Sequence, residues 1–503
     1  MSHQTKIKVN GKNIQVDGSK MLIEELHKHD VAVPHFCYHE ALGVDGNCRM
    51  CMVEIKGQKR PQIACNTPIK EGMEVSTTSE MIMDVKRKIL ELELINHPVD
   101  CPICDQAGEC SLQEYYMDVG LHESRIDINH KVNKAKHVDL GANVILDQER
   151  CVLCARCTRF TANITQTHDL VIANRGNHAC VTTFSDRPLE AKGYAMNVVD
   201  LCPVGALTSK DFRFAQRVWF LKTDHAICQG CSTGCNIYID HNAPKYEDDK
   251  VYRFRPRKNE AVNGHFICDY GRLSYKKLNE NRFYNTDIGN HSTLSKIKKL
   301  LNQHQGEIYA LVSASLSIEN LISIKLLAKK YHIILHAYES STLNDDFKDD
   351  MLKSPDQSSN RTALELLHIN QKPLSLESLE SSTLLLNFNN PDYLQEQNSS
   401  KLTWVHFTPH QLSNNCINFP IPTFHEEAGA IINHNYHLQQ FQTTIKHPLP
   451  ALAFKESLSI LCDDQKMNSR DFLWQYLRDN YRSFSAIHYE TIPLEGLIIE
   501  ERS

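Results

Sequence analysis

Fifteen cysteines and one histidine of this sequence fall into four sets of four. Four thiolates close together can hold a metal ion or an iron–sulfur cluster. The first set is Cys37, Cys48, Cys51 and Cys65, separated by ten, two and thirteen residues. It suits a two-iron cluster better than zinc, because zinc sites favour two short Cys-x-x-Cys hooks and only one is present. Gly43, Gly46 and Asn47 supply the backbone freedom that such a loop needs. The second set is His97, Cys101, Cys104 and Cys110, within fourteen residues. On spacing alone it fits zinc or a four-iron cluster equally. In a cluster, a neutral imidazole in place of one thiolate would raise the potential.

The third set is Cys151, Cys154 and Cys157, then Cys202 followed by Pro203. This is the bacterial ferredoxin pattern divided along the chain. Where a two-cluster ferredoxin would keep its second set, this sequence has Thr161, Lys192, Ala195 and Val198, so one cluster is expected. The fourth set is Cys228, Cys231, Cys235 and Cys268, with gaps of two, three and thirty-two residues, and Gly230 and Gly234 ease its loop. A four-iron cluster or zinc would satisfy it. Cys180, read as an ordinary buried thiol, is left over together with Cys416 and Cys462.

Four such sites in one chain make sense as a wire for single electrons. Ligand type, hydrogen bonds to sulfur and burial would tune each potential. Arg49 and Arg156, lying between ligands, are either tuners of this kind or solvated surface residues. No residue is expected to be catalytic in the sense of acting on a bound substrate.

The rest of the composition agrees with thiolate chemistry in a reducing compartment. Sixteen of the 18 cysteines lie at or before Cys268 in a chain of 503 residues. Apolar residues make up 41% and charged residues 23%, enough for several buried cores, and the net charge is -6. The one basic stretch, Arg253, Arg255, Arg257 and Lys258, reads as a solvated loop, and nucleic-acid binding is not expected. The first thirty residues carry no signal peptide and no apolar run has membrane-spanning length. Membrane association is therefore expected only through partners.

The elements that position these cysteines are partly visible. Apolar alternation on either side of Asn10-Gly11 predicts a hairpin over residues 6–16. Ser19 is placed to cap a helix over about 20–28. Met81, Val85, Ile89, Leu92 and Ile95 predict the face of a helix over 80–96, ended by Pro98. Few periodic elements follow until residue 290. Beyond it Ile308–Val312 and Ile333–His336 read as strands around an amphipathic helix, Ile318–Lys330. Leu384–Phe388 and Thr403–Phe407 are further apolar runs, and residues 354–360 and 395–401 are polar loops. Alternating strands and helices predict an α/β layer.

Several stretches resemble the G subunit of NADH-quinone oxidoreductase, of the respiratory complex I family. They are Pro34–His39, Gly46–Glu54, Ile95–Gln106, Gly108–Cys110, Arg150–Cys157 and Asp200–Leu207. The resemblance covers residues 1 to about 275. It implies a 2Fe-2S cluster on Cys37, Cys48, Cys51 and Cys65. It implies 4Fe-4S clusters on His97, Cys101, Cys104 and Cys110, and on Cys151, Cys154, Cys157 and Cys202. Cys228, Cys231, Cys235 and Cys268 match an extra 4Fe-4S site carried by some bacterial members, off the main electron path. Glu426–Asn433 looks like a degraded form of a stretch in molybdopterin oxidoreductases, whose fold this family keeps without the pterin, so no molybdopterin is expected.

The implied architecture is a multidomain α+β and α/β chain. A 2Fe-2S ferredoxin-type (β-grasp) domain spans 1–80, a His/Cys3 4Fe-4S domain 81–120 and a 4Fe-4S ferredoxin-like domain 121–220. A 4Fe-4S domain of molybdopterin-oxidoreductase type spans 221–277, and a degenerate, cofactor-less and truncated molybdopterin-oxidoreductase-like α/β domain spans 278–503. The implied role is electron relay toward quinone in a proton-translocating complex, with no substrate site of its own. The implied partners are the flavin/NADH-binding, 2Fe-2S and quinone-site subunits of the peripheral arm, on the cytoplasmic side of the bacterial inner membrane. The alternative is a relay or diaphorase subunit of a cytoplasmic hydrogenase or a formate dehydrogenase. Thr161, Lys192, Ala195 and Val198 weigh against a hydrogenase, and the short chain after Cys268 weighs against a formate dehydrogenase. A zinc-stapled scaffold is a further alternative.

Overall fold

A computed structural model describes residues 4–121, 123–125, 127–184, 187–242, 250–283, 287–393, 402–412, 416–445 and 452–499. The chain divides into two compact units, Met1–Phe220 and Leu221–Ser503.

The first unit opens with strands β1 (Gln4–Val9) and β2 (Lys12–Asp17), joined through Asn10 and Gly11 at φ 47° and 85°. Positive φ at both positions is the two-residue turn whose twist matches the strands. Helix α1 (Leu22–Lys28) follows. Ser19 does not cap it. Its hydroxyl turns back to Asp17 Oδ1 at 2.7 Å, and Met21 stands at the N-cap. Strands β3 (Met52–Ile55), β4 (Gln62–Ile63) and β5 (Glu74–Ser76) complete a sheet of order β2-β1-β5-β3-β4, with β1 and β5 parallel. Leu22, Ile23 and Leu26 of α1 are fully buried in the core with Ile7, Val16 and Val53. This is a β-grasp.

Helix α2 (Glu80–Leu94) starts where Ser79 accepts the Ile82 amide. Its buried stripe is Ile82, Lys86 and Leu90, not the Met81–Leu92 stripe; Met81 and Leu92 are exposed. The apolar residues wrap more than one face, and packing selects the stripe that lets Lys86 reach the Thr77 carbonyl at 2.8 Å. Helix α3 (Ser111–Asp118), strands β6 (Val138–Gly141) and β7 (Val144–Leu146), and helix α4 (Arg156–Arg159) occupy the stretch where periodicity is weak. Then come the hairpin β8 (Leu170–Ala173) and β9 (Cys180–Thr183), helix α5 (Asn197–Leu201) and strand β10 (Leu207–Ser209), which pairs with β7.

The second unit begins with an antiparallel sheet of β11 (Leu221–Ile227), β12 (Asn236–Asn242) and β13 (Val251–Pro256). The basic stretch is therefore not a solvated loop. Arg253 and Arg255 lie on β13, and their Nε atoms stand 2.6 and 2.7 Å from Asp240 Oδ2 on β12, while Arg257 is buried. Alternation along the strand puts both guanidiniums on the face of the buried carboxylate. Short helices α6 (Asp269–Leu273) and α7 (Tyr275–Leu278) and the long α8 (Asp287–Gln303) lead into the α/β layer.

That layer holds β14 (Ile308–Val312), α9 (Ile318–Tyr331), β15 (Ile334–His336), α10 (Arg361–Leu366), β16 (Leu384–Phe388), β17 (Thr403–Thr408) and β18 (Ile417–Pro420). The sheet order β15-β14-β16-β17-β18 is all parallel, the doubly wound 2-1-3-4-5 arrangement. Helix α9 is buried nearly all round rather than amphipathic. It even buries Glu319, which accepts from Trp474 Nε1 at 2.8 Å and the Ala430 amide at 3.0 Å. Of the two polar loops, 354–360 buries Ser358, Ser359 and Asn360; 395–401 lies outside the described residues. Strands β19 (Gly429–Ile432), β20 (His437–Phe441) and β21 (Leu497–Ile498) and helices α11 (Phe454–Cys462) and α12 (Arg470–Asn480) close the unit.

Candidate metal centres

All eighteen cysteines are unbridged thiols. Cys37, Cys48 and Cys51 lie before β3 and Cys65 on a 3-10 turn after β4; all four are buried, and the Cys51 and Cys65 side chains share a hydrogen bond. The amides of Phe36 and Cys37 point at Cys48 Sγ, at 3.4 and 3.5 Å. Gly46 takes φ 79°, so the loop can turn its amides inward. Arg49 is exposed and faces solvent.

In the second set, His97 follows the end of α2, Cys101 sits on a 3-10 turn, and Cys110 precedes α3. Cys101 and Cys110 both act electrostatically on Tyr116, and Cys101 on Cys104. Asp100 and Arg150 influence both Cys104 and His97. Burial lowers the His97 imidazole to about 4, so the ring is neutral at pH 7, as a metal ligand must be. Basic residues that spacing does not reveal hold this loop in shape. Arg217 donates to the carbonyls of Cys104 and Pro102 at 2.6 and 2.5 Å, and Arg150 binds Asp100 through two bonds of 2.9 and 2.7 Å.

The third set converges most plainly. One small cavity is lined by Cys151, Cys154, Cys157 and Cys202, with Leu146, Val181, Val204 and Leu207 around them. Leu153 and Ala155, between these cysteines, adopt φ 51° and 61°. Each such non-glycine residue costs about 1 kcal/mol or more. The loop accepts that strain to aim its thiols inward, and the Leu153 amide meets Cys151 Sγ at 3.4 Å. Thr161, Ala195 and Val198 are fully buried and fill core, while Lys192 is exposed. Cys180 is half-buried, not buried, because β8 and β9 form an isolated two-stranded hairpin with only partial cover.

The fourth set lies in the second unit. Cys228, Cys231 and Cys235 occupy the loop between β11 and β12, and Cys268 caps α6, its sulfur accepting the Gly271 amide at 3.3 Å. All four are buried. Gly234 has φ 62°, whereas Gly230 serves close approach: a Cβ there would meet Gly271 Cα at 3.2 Å. Asn433 and Gln439 donate to the carbonyls of Thr233 and Gly234, at 3.1 and 3.0 Å. Within Glu426–Asn433, Asn433 thus steadies the cysteine loop and Glu426 pairs with buried Arg282 at 2.7 Å. Cys416 and Cys462 belong to none of these clusters.

The thiols fit a metal-bound state. Burial pushes Cys151, Cys154 and Cys268 up to about 12 and Cys110 to about 11, so alone they would stay protonated. Bound metal would supply the positive charge that releases those protons. Within the first unit the sites are neighbours in series. Cys37 acts on Cys154, and Cys202 acts on Cys110. The Ser111 amide, next to Cys110, donates to the Pro203 carbonyl at 2.9 Å.

Comparison with known proteins agrees with this order of modules. Residues 2–80 match a 2Fe-2S iron-sulfur cluster binding domain, and residues 86–125 the NADH-ubiquinone oxidoreductase-G iron-sulfur binding region. Residues 141–208 match the ferredoxin-like domain of NADH-quinone oxidoreductase subunit 3, and residues 221–280 the molybdopterin oxidoreductase Fe4S4 domain. The G subunit of NADH-quinone oxidoreductase from Rickettsia typhi is 33% identical over 335 residues, 65% of this chain and 48% of that protein. The NADH-ubiquinone oxidoreductase 75 kDa subunit of Reclinomonas americana is 33% identical over 360 residues, 68% of this chain and 51% of that protein. A solved NAD+-reducing NiFe-hydrogenase chain is 27% identical with a TM-score of 0.39, covering 42% of this chain and 91% of its own. The chain spans about half the length of the curated relatives it matches. Among the described residues no helix is long and apolar enough to cross a membrane. In the order of its four matched iron–sulfur modules the chain is similar to the G subunits of NADH-quinone oxidoreductases.

Proposed function

We propose that this chain relays single electrons within the peripheral arm of an NADH-quinone oxidoreductase, on the cytoplasmic side of a bacterial inner membrane. Its sites would carry electrons from the flavin/NADH module, or another donor, toward quinone. The observation that carries this reading is the cavity lined by four thiols at Cys151, Cys154, Cys157 and Cys202, with neighbouring cysteine sites on either side.

We assign a 2Fe-2S cluster to Cys37, Cys48, Cys51 and Cys65. We assign 4Fe-4S clusters to His97 with Cys101, Cys104 and Cys110, to Cys151, Cys154, Cys157 and Cys202, and to Cys228, Cys231, Cys235 and Cys268. When bound, these groups supply one-electron chemistry with little change of shape. The protein's part is to hold the thiols, exclude water and aim amides at sulfur, as Phe36, Leu153, Gly230 and Gly271 do. The corresponding domains are 1–80, 81–120, 121–220 and 221–277, with residues 278–503 as a cofactor-less α/β scaffold. The partners are the flavin-binding, 2Fe-2S and quinone-site subunits of the same arm. A hydrogenase subunit with both ferredoxin-type clusters is disfavoured by the buried Thr161, Ala195 and Val198.

Iron and acid-labile sulfide quantitation, with paramagnetic resonance of the reduced chain prepared without oxygen, tests the assignment. One two-iron and three four-iron signals are expected. Tightly bound zinc without iron would overturn it.

A further inference from the structure

We propose that Arg156 is a positioning residue that bridges the first and third cysteine sites, fixes their separation and raises the potential at both. The inference rests on the iron–sulfur reading above.

Arg156 stands between Cys154 and Cys157 and is 9% exposed. Its guanidinium forks. Nη1 donates to the Leu201 carbonyl at 3.1 Å, and Nη2 donates to the Tyr38 carbonyl at 2.6 Å. Leu201 immediately precedes Cys202, and Tyr38 immediately follows Cys37. One rigid planar group therefore ties a ligand-bearing peptide of each site to the other, which a lysine cannot do.

Two further observations point to a ligand. First, the Nε–H of Arg156 is buried without an acceptor. Such a donor costs about 1–3 kcal/mol when left unmade. A group held by the adjacent cysteines would supply the acceptor that the surrounding chain does not provide. Second, no carboxylate pairs with this guanidinium among the described residues; the ionisable groups that interact with it are Cys154, Tyr115, Cys202 and Cys37. A buried cation needs a counter-charge. Thiolate-bound clusters are anionic and become more so on reduction, so a fixed cation favours the reduced form. Arg156 keeps its proton while one electron leaves one site and arrives at the other, so charge is conserved between them.

Neighbouring Arg159 is the internal contrast. It donates to the carbonyls of Cys37, Leu42 and Gly43, all on the first loop, and Asp45 lies 4.0 Å from its Nε. Its guanidinium holds carbonyls of the first loop alone, although its Nε–H too has no hydrogen-bond acceptor.

Redox titration of the full chain, followed by paramagnetic resonance with iron quantitation, separates the roles. Arg156→Gln should keep its iron and lower the midpoints of both the two-iron signal and the signal of the Cys151 site. Arg156→Lys should keep both midpoints near wild type but weaken the magnetic coupling between the two reduced sites. Arg159→Gln should shift the two-iron signal alone. Unchanged midpoints in iron-replete Arg156→Gln, or undiminished coupling in Arg156→Lys, would overturn the proposal. So would equal shifts of both signals in Arg159→Gln. Should Arg156→Gln fail to load iron, the lysine and Arg159 variants decide. Zinc in the wild-type chain would instead overturn the iron–sulfur reading itself.

Discussion

A Cβ on Gly205 would stand 2.3 Å from the sulfur of Cys104 and 3.0 Å from Cβ of Gln106. The segment after Cys202 thus lies directly against a cysteine of the neighbouring set, and only a residue without a side chain fits. Gly205→Ala should displace Cys104. The expected outcome is loss of the paramagnetic signal of the His97 site, with the two-iron signal retained.

On the proposed assignment, His97→Cys replaces a neutral ligand by a thiolate and makes that cluster more negative. The cluster should remain and its midpoint should fall. An unchanged midpoint on titration would exclude ligation by that imidazole.

Asp240 is buried between Arg253, Arg255 and Thr223 Oγ1, the last at 2.6 Å. Although burial opposes ionisation, the two guanidiniums and the hydroxyl hold its carboxyl at about 2. Its stabilising contribution is complete above the ordinary carboxylate range and is lost as pH falls through about 2. Asp240→Asn removes the anion that two half-buried guanidiniums face and should cost about 1.5–3 kcal/mol at pH 7. Urea unfolding of the second unit measures it.

Glu339 shows the opposite sign. It is fully buried, Oε1 accepts the Ala314 amide at 3.0 Å, and Oε2 has no partner. Burial pushes the carboxyl up to about 7, so the folded state holds a proton that the unfolded state releases near 4.5. Stability therefore falls as pH rises between those values and stays lower above them. Glu339→Gln should flatten that slope and stabilise the unit at pH 8 by about 3 kcal/mol. A parallel pH profile for the two proteins would contradict this.

Much of the site could be read from the residues alone. Spacing grouped Cys151, Cys154, Cys157 and Cys202, and the fold brings all four to one cavity. Asn10-Gly11 specified its hairpin because a two-residue turn is a local property. The Ile308–Val312 strand was legible because a continuous apolar run must be buried on both faces.

What escaped was decided by contacts between distant segments. Helix α2 has apolar residues on more than one face, and only packing chose Ile82, Lys86 and Leu90. Ser19 had two acceptable partners, and the Asp17 carboxylate won over the helix end. Arg253 and Arg255 looked solvated because their anion, Asp240, is on another strand of the sheet.

By itself the sequence determined which atoms can bind metal, since ligand chemistry resides in residue type and short spacing. Only the tertiary structure decided which sites are neighbours and which arginines stand between them. Those relations join residues more than a hundred positions apart, as Arg156 joins Tyr38, and no local pattern encodes them.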